Sequence, residues 1–160
     1  LLEGIASALD FSHIQSNPMV HGNLNPENIR LTEEGTIKLP RLGPPPGPRT
    51  DLSPDEIAYM PPEILTGSEA TPHGDIFALA ALAYRMLAGT PPLYAPTGPL
   101  QKETPKPISQ LPGRVHTPLL AAPAKAPWAR PPSPGAIIPA LNEAKATRSA
   151  PAAPGVARGE

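Results

Sequence analysis

Proline placement decides where this chain can fold. A proline fixes its own φ, removes a backbone N–H and pushes the residue before it out of the helical region. There are 27 prolines in 160 residues, yet only Pro18 and Pro26 precede Pro40, and none lies between His73 and Thr90. Those two windows are where regular structure can form. With 13 glycines added, a quarter of the chain is backbone punctuation, at the edge of low-complexity composition. Leu, Ile, Val and Phe together make up about a fifth of the residues, barely above the level at which chains stay disordered. The net charge of -1 neither forces the chain open nor supplies the basic footprint of a nucleic-acid binder. With no cysteine, disulfides, thiol catalysis and cysteine-ligated metals are excluded. No apolar run approaches the roughly 20 residues that span a bilayer. The length allows one domain, or one domain plus a tail.

Within the first window, Leu2, Ile5, Ala6, Leu9 and His13 recur at helical spacing and predict one amphipathic helix. Asn17-Pro18 ends it. The pattern already runs at Leu1, as in a continuation of something longer. Ile29 and Leu31, then Ile37 and Leu39, alternate with polar residues on either side of Glu34-Gly35, which predicts a short hairpin. Two such strands need helices to rest on. Ser53-Pro54-Asp55-Glu56 has the N-cap, first-turn proline and Glu of a capping box. In the second window Asp75 opens DIFALAALAYRMLAG, apolar nearly all round and closed by Gly89, hence a buried central helix.

These segments carry a family. HGNLNPENI resembles H-R-D-L-K-P-E-N-I, the catalytic loop of eukaryotic-type protein kinases. KLPRLG is similar to K-L-x-D-F-G, YMPPEIL to Y-M-A-P-E-I-L, and DIFALAALAYRMLAGTPPL to the buried D-x-x-S-L-G helix followed by T-G-x-P-P-F. Four such matches in order are far more specific than one. LPGRVHTPLLAAPAKAPWARPPSPGAIIPALNEA is similar to the last helices of bacterial Ser/Thr kinases, ending in R-P-x-S and a final helix. The resemblance implies a mainly α, protein-kinase-like C-lobe over residues 1–144, with one small hairpin and proline-rich irregular segments. The N-lobe is not in the sequence. Residues 145–160 read as a disordered Ala/Pro-rich tail.

The resemblance also assigns roles. Asn23 occupies the slot of the catalytic Asp, and an amide lacks the basicity worth about 10²–10⁴-fold in such reactions. Asn25 stands in the slot of the lysine that faces the phosphoryl group. Asn28 retains the metal-binding position, although in N-P-E-N an Asn also forms turns. Arg41 replaces the metal-binding Asp, reversing a charge worth on the order of 4 kcal/mol per unit pair at about 4 Å. A divalent ion should not settle there, and Arg41 suits either a phosphate or a neighbouring carboxylate. Gly22 replaces the arginine that receives an activation-loop phosphate, leaving Thr50 or Ser53 without that partner if phosphorylated. Glu56 stands where a Thr is usual. His21 and Asp75 keep scaffold positions, Asp75 holding the loop's backbone, capping its own helix, or both. Glu63 and Arg130 keep a buried ion pair.

ATP and Mg²⁺ are the family's cofactors, and the substitutions make their binding doubtful; the chain alone is expected to hold neither. The expected role is a catalytically inactive, pseudokinase-like binding or regulatory module in the cytoplasm, partnered by another protein or by an N-lobe. A divergent active Ser/Thr kinase and a decayed gene fragment are the competing readings. The histidines His13, His21, His73 and His116 have no metal-ligand spacing. Pro45–Pro48 and Pro131–Pro134 satisfy P-x-x-P, a pattern bound by SH3-type partners, but in a chain this rich in proline such matches arise by accident and read as stiff loop. Pro118 and Pro123 are expected to break the helix that the family has there.

Overall fold

The computed structural model describes residues 1–40, 42–43, 52–90, 108, 111 and 121–149. Arg41, Thr50, the Pro45–Pro48 motif and Pro118 lie outside the described residues.

Helix α1 spans Leu2–His13 and buries Ile5, Ala6, Leu9 and Ser12, the stripe that the spacing predicts. Ser12 satisfies its hydroxyl inside the helix by donating to the Leu9 carbonyl at 3.0 Å. A 3₁₀ turn at Pro26–Asn28 follows, then strands β1 (Arg30–Leu31) and β2 (Ile37–Lys38), antiparallel with Arg30 opposite Lys38 and Leu31 opposite Ile37. Ile29, Ile37 and Leu39 pack against the core, whereas Leu31 remains 65% exposed. The hairpin rests on the helices as expected, but strands of two residues are too short to carry a full apolar face. A Cβ on Gly4 would lie 2.6 Å from Ile37 Cδ1, so the glycine is what lets the hairpin settle on α1.

Helix α2 (Pro54–Ile57) has the anticipated capping box: Ser53 Oγ accepts from Glu56 N, and Glu56 Oε2 accepts from Ser53 N at 3.0 Å. Helix α3 covers Pro62–Leu65. The central helix, α4, spans Pro72–Ala88 and buries every residue from Gly74 to Tyr84. Its N-cap is Thr71, whose Oγ1 accepts from Gly74 N at 3.2 Å. Asp75 therefore does not cap the helix; it sits inside the first turn. Gly89, at φ 81, closes the C-terminus in the left-handed conformation that glycine adopts without strain.

After 3₁₀ turns at Pro127–Ala129 and Pro134–Ile137, helix α5 runs Ile138–Ser149, so helical structure extends past Ala144. Helix α1 packs on α4, α5 and the Pro134–Ile137 turn. Asp10 Oδ2 accepts from Gly135 N at 3.0 Å, joining the two ends of the described chain. Ile5, Leu9, Leu79, Ile137 and Leu141 share the core, each such side chain contributing about 1.5–3 kcal/mol on burial. Pro134 is fully buried, so Pro131–Pro134 is taken up in packing. Among the described residues no helix is long and apolar enough to cross a membrane.

Candidate functional site

The loop from His21 to Asn28 hangs from one carboxylate on α4. Asp75 is 1% exposed. Its Oδ2 accepts from His21 N at 2.8 Å, and its Oδ1 accepts from Gly22 N at 2.8 Å. His13, from the last turn of α1, reaches the same Oδ2 through Nε2 at 2.8 Å. A buried carboxylate is tolerated only when its lone pairs are occupied, and here two backbone donors and one imidazole occupy them. Gly22 takes φ 69, which a residue bearing Cβ adopts only at a cost. Beyond placing His13 on the inward stripe, local spacing carries no sign of this contact, because its partner is 62 residues away.

His21 is fully buried. Its Nδ1 accepts from Asn23 N at 3.3 Å, which places the proton of the neutral ring on Nε2. That Nε2 is buried with no hydrogen-bond partner among the described residues. Burial pushes the His21 pKa down, against a smaller upward pull from Asp75.

Three amides follow. Asn25, 4% exposed, turns inward: its Oδ1 accepts from Glu27 N at 3.0 Å and Asn28 N at 3.2 Å, capping the Pro26–Asn28 turn. Its Nδ2 donates to Asn23 Oδ1 at 3.4 Å. Asn28 Nδ2 donates to the Asn23 carbonyl at 2.9 Å. Asn23, Asn25 and Asn28 thus form one neutral network in which each amide shapes the loop. The sequence signalled only the loss of a cation at Asn25; the capping role follows from the short Asx side chain, which reaches the backbone N–H groups two and three residues on. Past the hairpin, Gly43 N donates to the Val20 carbonyl at 2.9 Å, while Arg41 lies outside the described residues. Of the donors that Mg²⁺ needs, the described residues supply one neutral oxygen, Asn28 Oδ1. Among them no group of three His, Asp or Glu stands together as a metal site.

Beside the loop lies a cavity of about 180 Å³ lined by Asn25, Glu27, Asp55, Glu56, Tyr59 and Arg85 among others. Arg85 Nη1 donates to the Tyr59 hydroxyl at 2.8 Å and stands 3.9 Å from Asp55 Oδ1. Burial raises the Tyr59 pKa, with Arg85 pulling it back. Sequence reasoning missed this pair; its only signal is the arginine in the otherwise apolar run from Ile76 to Ala88.

At the far side, Arg130 lies against Glu63 in a two-pronged contact, Nη1 to Oε1 at 2.6 Å and Nη2 to Oε2 at 2.8 Å. Its Nε donates to the Ala124 carbonyl, its Nη1 also to His73 and its Nη2 also to Lys125. All five guanidinium N–H groups are used. The guanidinium carbon stands 5.0 Å from the Phe77 ring centroid, within cation–π range.

The protein kinase domain family matches residues 1–121. Serine/threonine-protein kinase PknD of Mycobacterium tuberculosis is 34% identical over 127 residues, covering 72% of this chain and 19% of PknD. The Aurora kinase of Schizosaccharomyces pombe is 37% identical over 92 residues, covering 55% of this chain and 25% of that protein. Among solved structures, the PknI kinase domain of M. tuberculosis superposes with a TM-score of 0.65 at 29% identity, covering 91% of this chain and 53% of that domain. The chain thus spans a quarter or less of these curated relatives and about half of the solved domain.

Proposed function

Because the chain belongs to the protein kinase family, of the bacterial Ser/Thr type, we propose that it is a pseudokinase-like C-lobe that works as a binding or regulatory module without transferring phosphate. One observation carries this reading. Where phosphoryl transfer needs a carboxylate, a cation and metal ligands, the loop presents Asn23, Asn25 and Asn28, bonded to one another and to the backbone. An amide cannot accept the substrate proton, and a single neutral oxygen at Asn28 does not bring in a divalent ion. The parts that hold shape, Asp75 beneath the loop and Glu63 with Arg130 at the far side, are fully bonded. A scaffold kept in order while its chemistry is gone suits recognition of a protein partner or of a separate N-lobe.

The test is a radiolabel transfer assay on the complete gene product with Mg²⁺ or Mn²⁺ and a generic protein substrate. No incorporation above background is expected. Incorporation that disappears in Asn28→Ala overturns the proposal in favour of a divergent active kinase. Failure of the 160-residue chain to melt cooperatively overturns it in favour of a decayed fragment.

A further inference from the structure

His21 is the only titratable side chain from Met19 to Pro26, and the fold closes it off from water entirely. Its Nδ1 works as an acceptor, taking the N–H of Asn23 at 3.3 Å. Protonation removes that acceptor, because both nitrogens of an imidazolium carry hydrogen. Asn23 N, Nδ1 and Nε2 then become three N–H groups with no acceptor among the described residues. In a site without water such groups cost free energy that the neutral ring avoids. Among the described residues, the titratable groups facing the ring are Asp75, from α4, and His13, from α1, which shares that carboxylate. Asp75 attracts a charged ring, but both its oxygens are already engaged, by His21 N, Gly22 N and His13 Nε2. The carboxylate cannot turn toward the ring without letting go of the backbone it holds. Burial therefore outweighs the attraction, and the His21 pKa is lowered.

We propose that protonation of His21 releases the backbone of residues 21–23 from Asp75, so that the loop is closed near neutrality and opens in mild acid. Three bonds are concerned, those of His21 N and Gly22 N to Asp75 and that of Asn23 N to Nδ1. In the open loop the ring meets water and takes up its proton near the ordinary value of about 6.5, so proton uptake drives the opening. The Glu63–Arg130 pair and the core between α1 and α4 lie outside this short stretch, and the opening is a local one. The inference concerns the loop's shape and holds whether or not the protein transfers phosphate.

Amide hydrogen exchange of the 160-residue chain, followed by NMR at pH 6.5 and pH 5 and corrected for the intrinsic rate at each pH, tests this. The amides of His21, Gly22 and Asn23 are expected to be less protected than those of Leu79 and Ala83 in α4. Their protection should fall about tenfold between the two pH values. His21→Gln should abolish that fall, and His13→Gln should retain it. The ring signal of His21 should titrate with a midpoint below 6.5. Protection at residues 21–23 that is unchanged between the two pH values overturns the proposal. So does protection equal to that of Leu79 and Ala83 at both, which means that the loop opens only with the whole fold. A fall that survives in His21→Gln, or vanishes in His13→Gln, overturns it by placing the proton on His13. Where His21→Gln does not fold, the ring titration of the parent decides: a midpoint at or above 6.5 overturns the proposal.

Discussion

Replacing Arg130 by Ala is expected to be among the most damaging single changes to this fold. The substitution strands Glu63, whose carboxylate is 15% exposed, and removes the donor from three carbonyls, those of His73, Ala124 and Lys125. It also empties the space over Phe77. Removing one partner of a buried pair costs about 3–5 kcal/mol, because the remaining charge stays uncompensated. Glu63 can still reach some water, so the low end applies, about 3 kcal/mol. For a chain of this size that lowers the melting temperature by on the order of 10 °C. Thermal denaturation followed by circular dichroism at 222 nm reads the change directly. Asp55→Ala is the control: its side chain is 71% exposed and 3.9 Å from Arg85, and exposed pairs of that kind are worth about 0–1 kcal/mol. If Arg130→Ala melts within about 2 °C of the parent, the attribution of stability to this pair is wrong.

Three further outcomes follow from the loop. His21 has its folded pKa lowered by burial, so the unfolded chain takes up a proton first; stability is full above the ordinary histidine value near 6.5 and is lost as pH falls below it toward the folded pKa. Melting temperatures measured between pH 7 and pH 5 should decline, and His21→Gln should flatten that decline. Gly22→Ala places a Cβ at φ 69 and should cost about 1–2 kcal/mol in a urea titration; a stabilising effect would contradict the left-handed backbone. Asn25→Ala removes the acceptor for Glu27 N and Asn28 N and should cost about 0.5–2 kcal/mol, with faster hydrogen exchange at those two amides.

Helices α1 and α4 were legible because their signal is local: an apolar stripe in one, an apolar run between prolines in the other. The four motifs located the loop and Glu63, and the R-P-x-S segment located Arg130, for the same reason, each being short and contiguous. What escaped was set by partners distant in sequence or by side-chain direction. The pattern opens α4 at Asp75, yet with Thr71 before it Pro72 becomes the first turn of the helix, since proline suits that position. Leu31 carries the right pattern for the core and still faces water, because the strand ends before the pattern can matter. Asn25 reads as an absent lysine, and only the folded loop shows its oxygen closing the turn. The contact of His13 with Asp75 could not be read at all, since nothing in either segment refers to the other.

The way Asp75 holds its loop has a consequence for how such a chain changes over time. Two of its three bonds go to the peptide nitrogens of His21 and Gly22, groups that every residue except proline possesses. Those two bonds do not depend on which side chains stand at Asn23, Asn25 and Asn28. Substitutions at the chemically decisive positions of the loop leave those bonds intact, so the shape carries no memory of whether the reaction works. A lineage can lose its acid, its cation and its metal donors one at a time while the loop keeps its outline, and selection on that outline alone would be enough to preserve it.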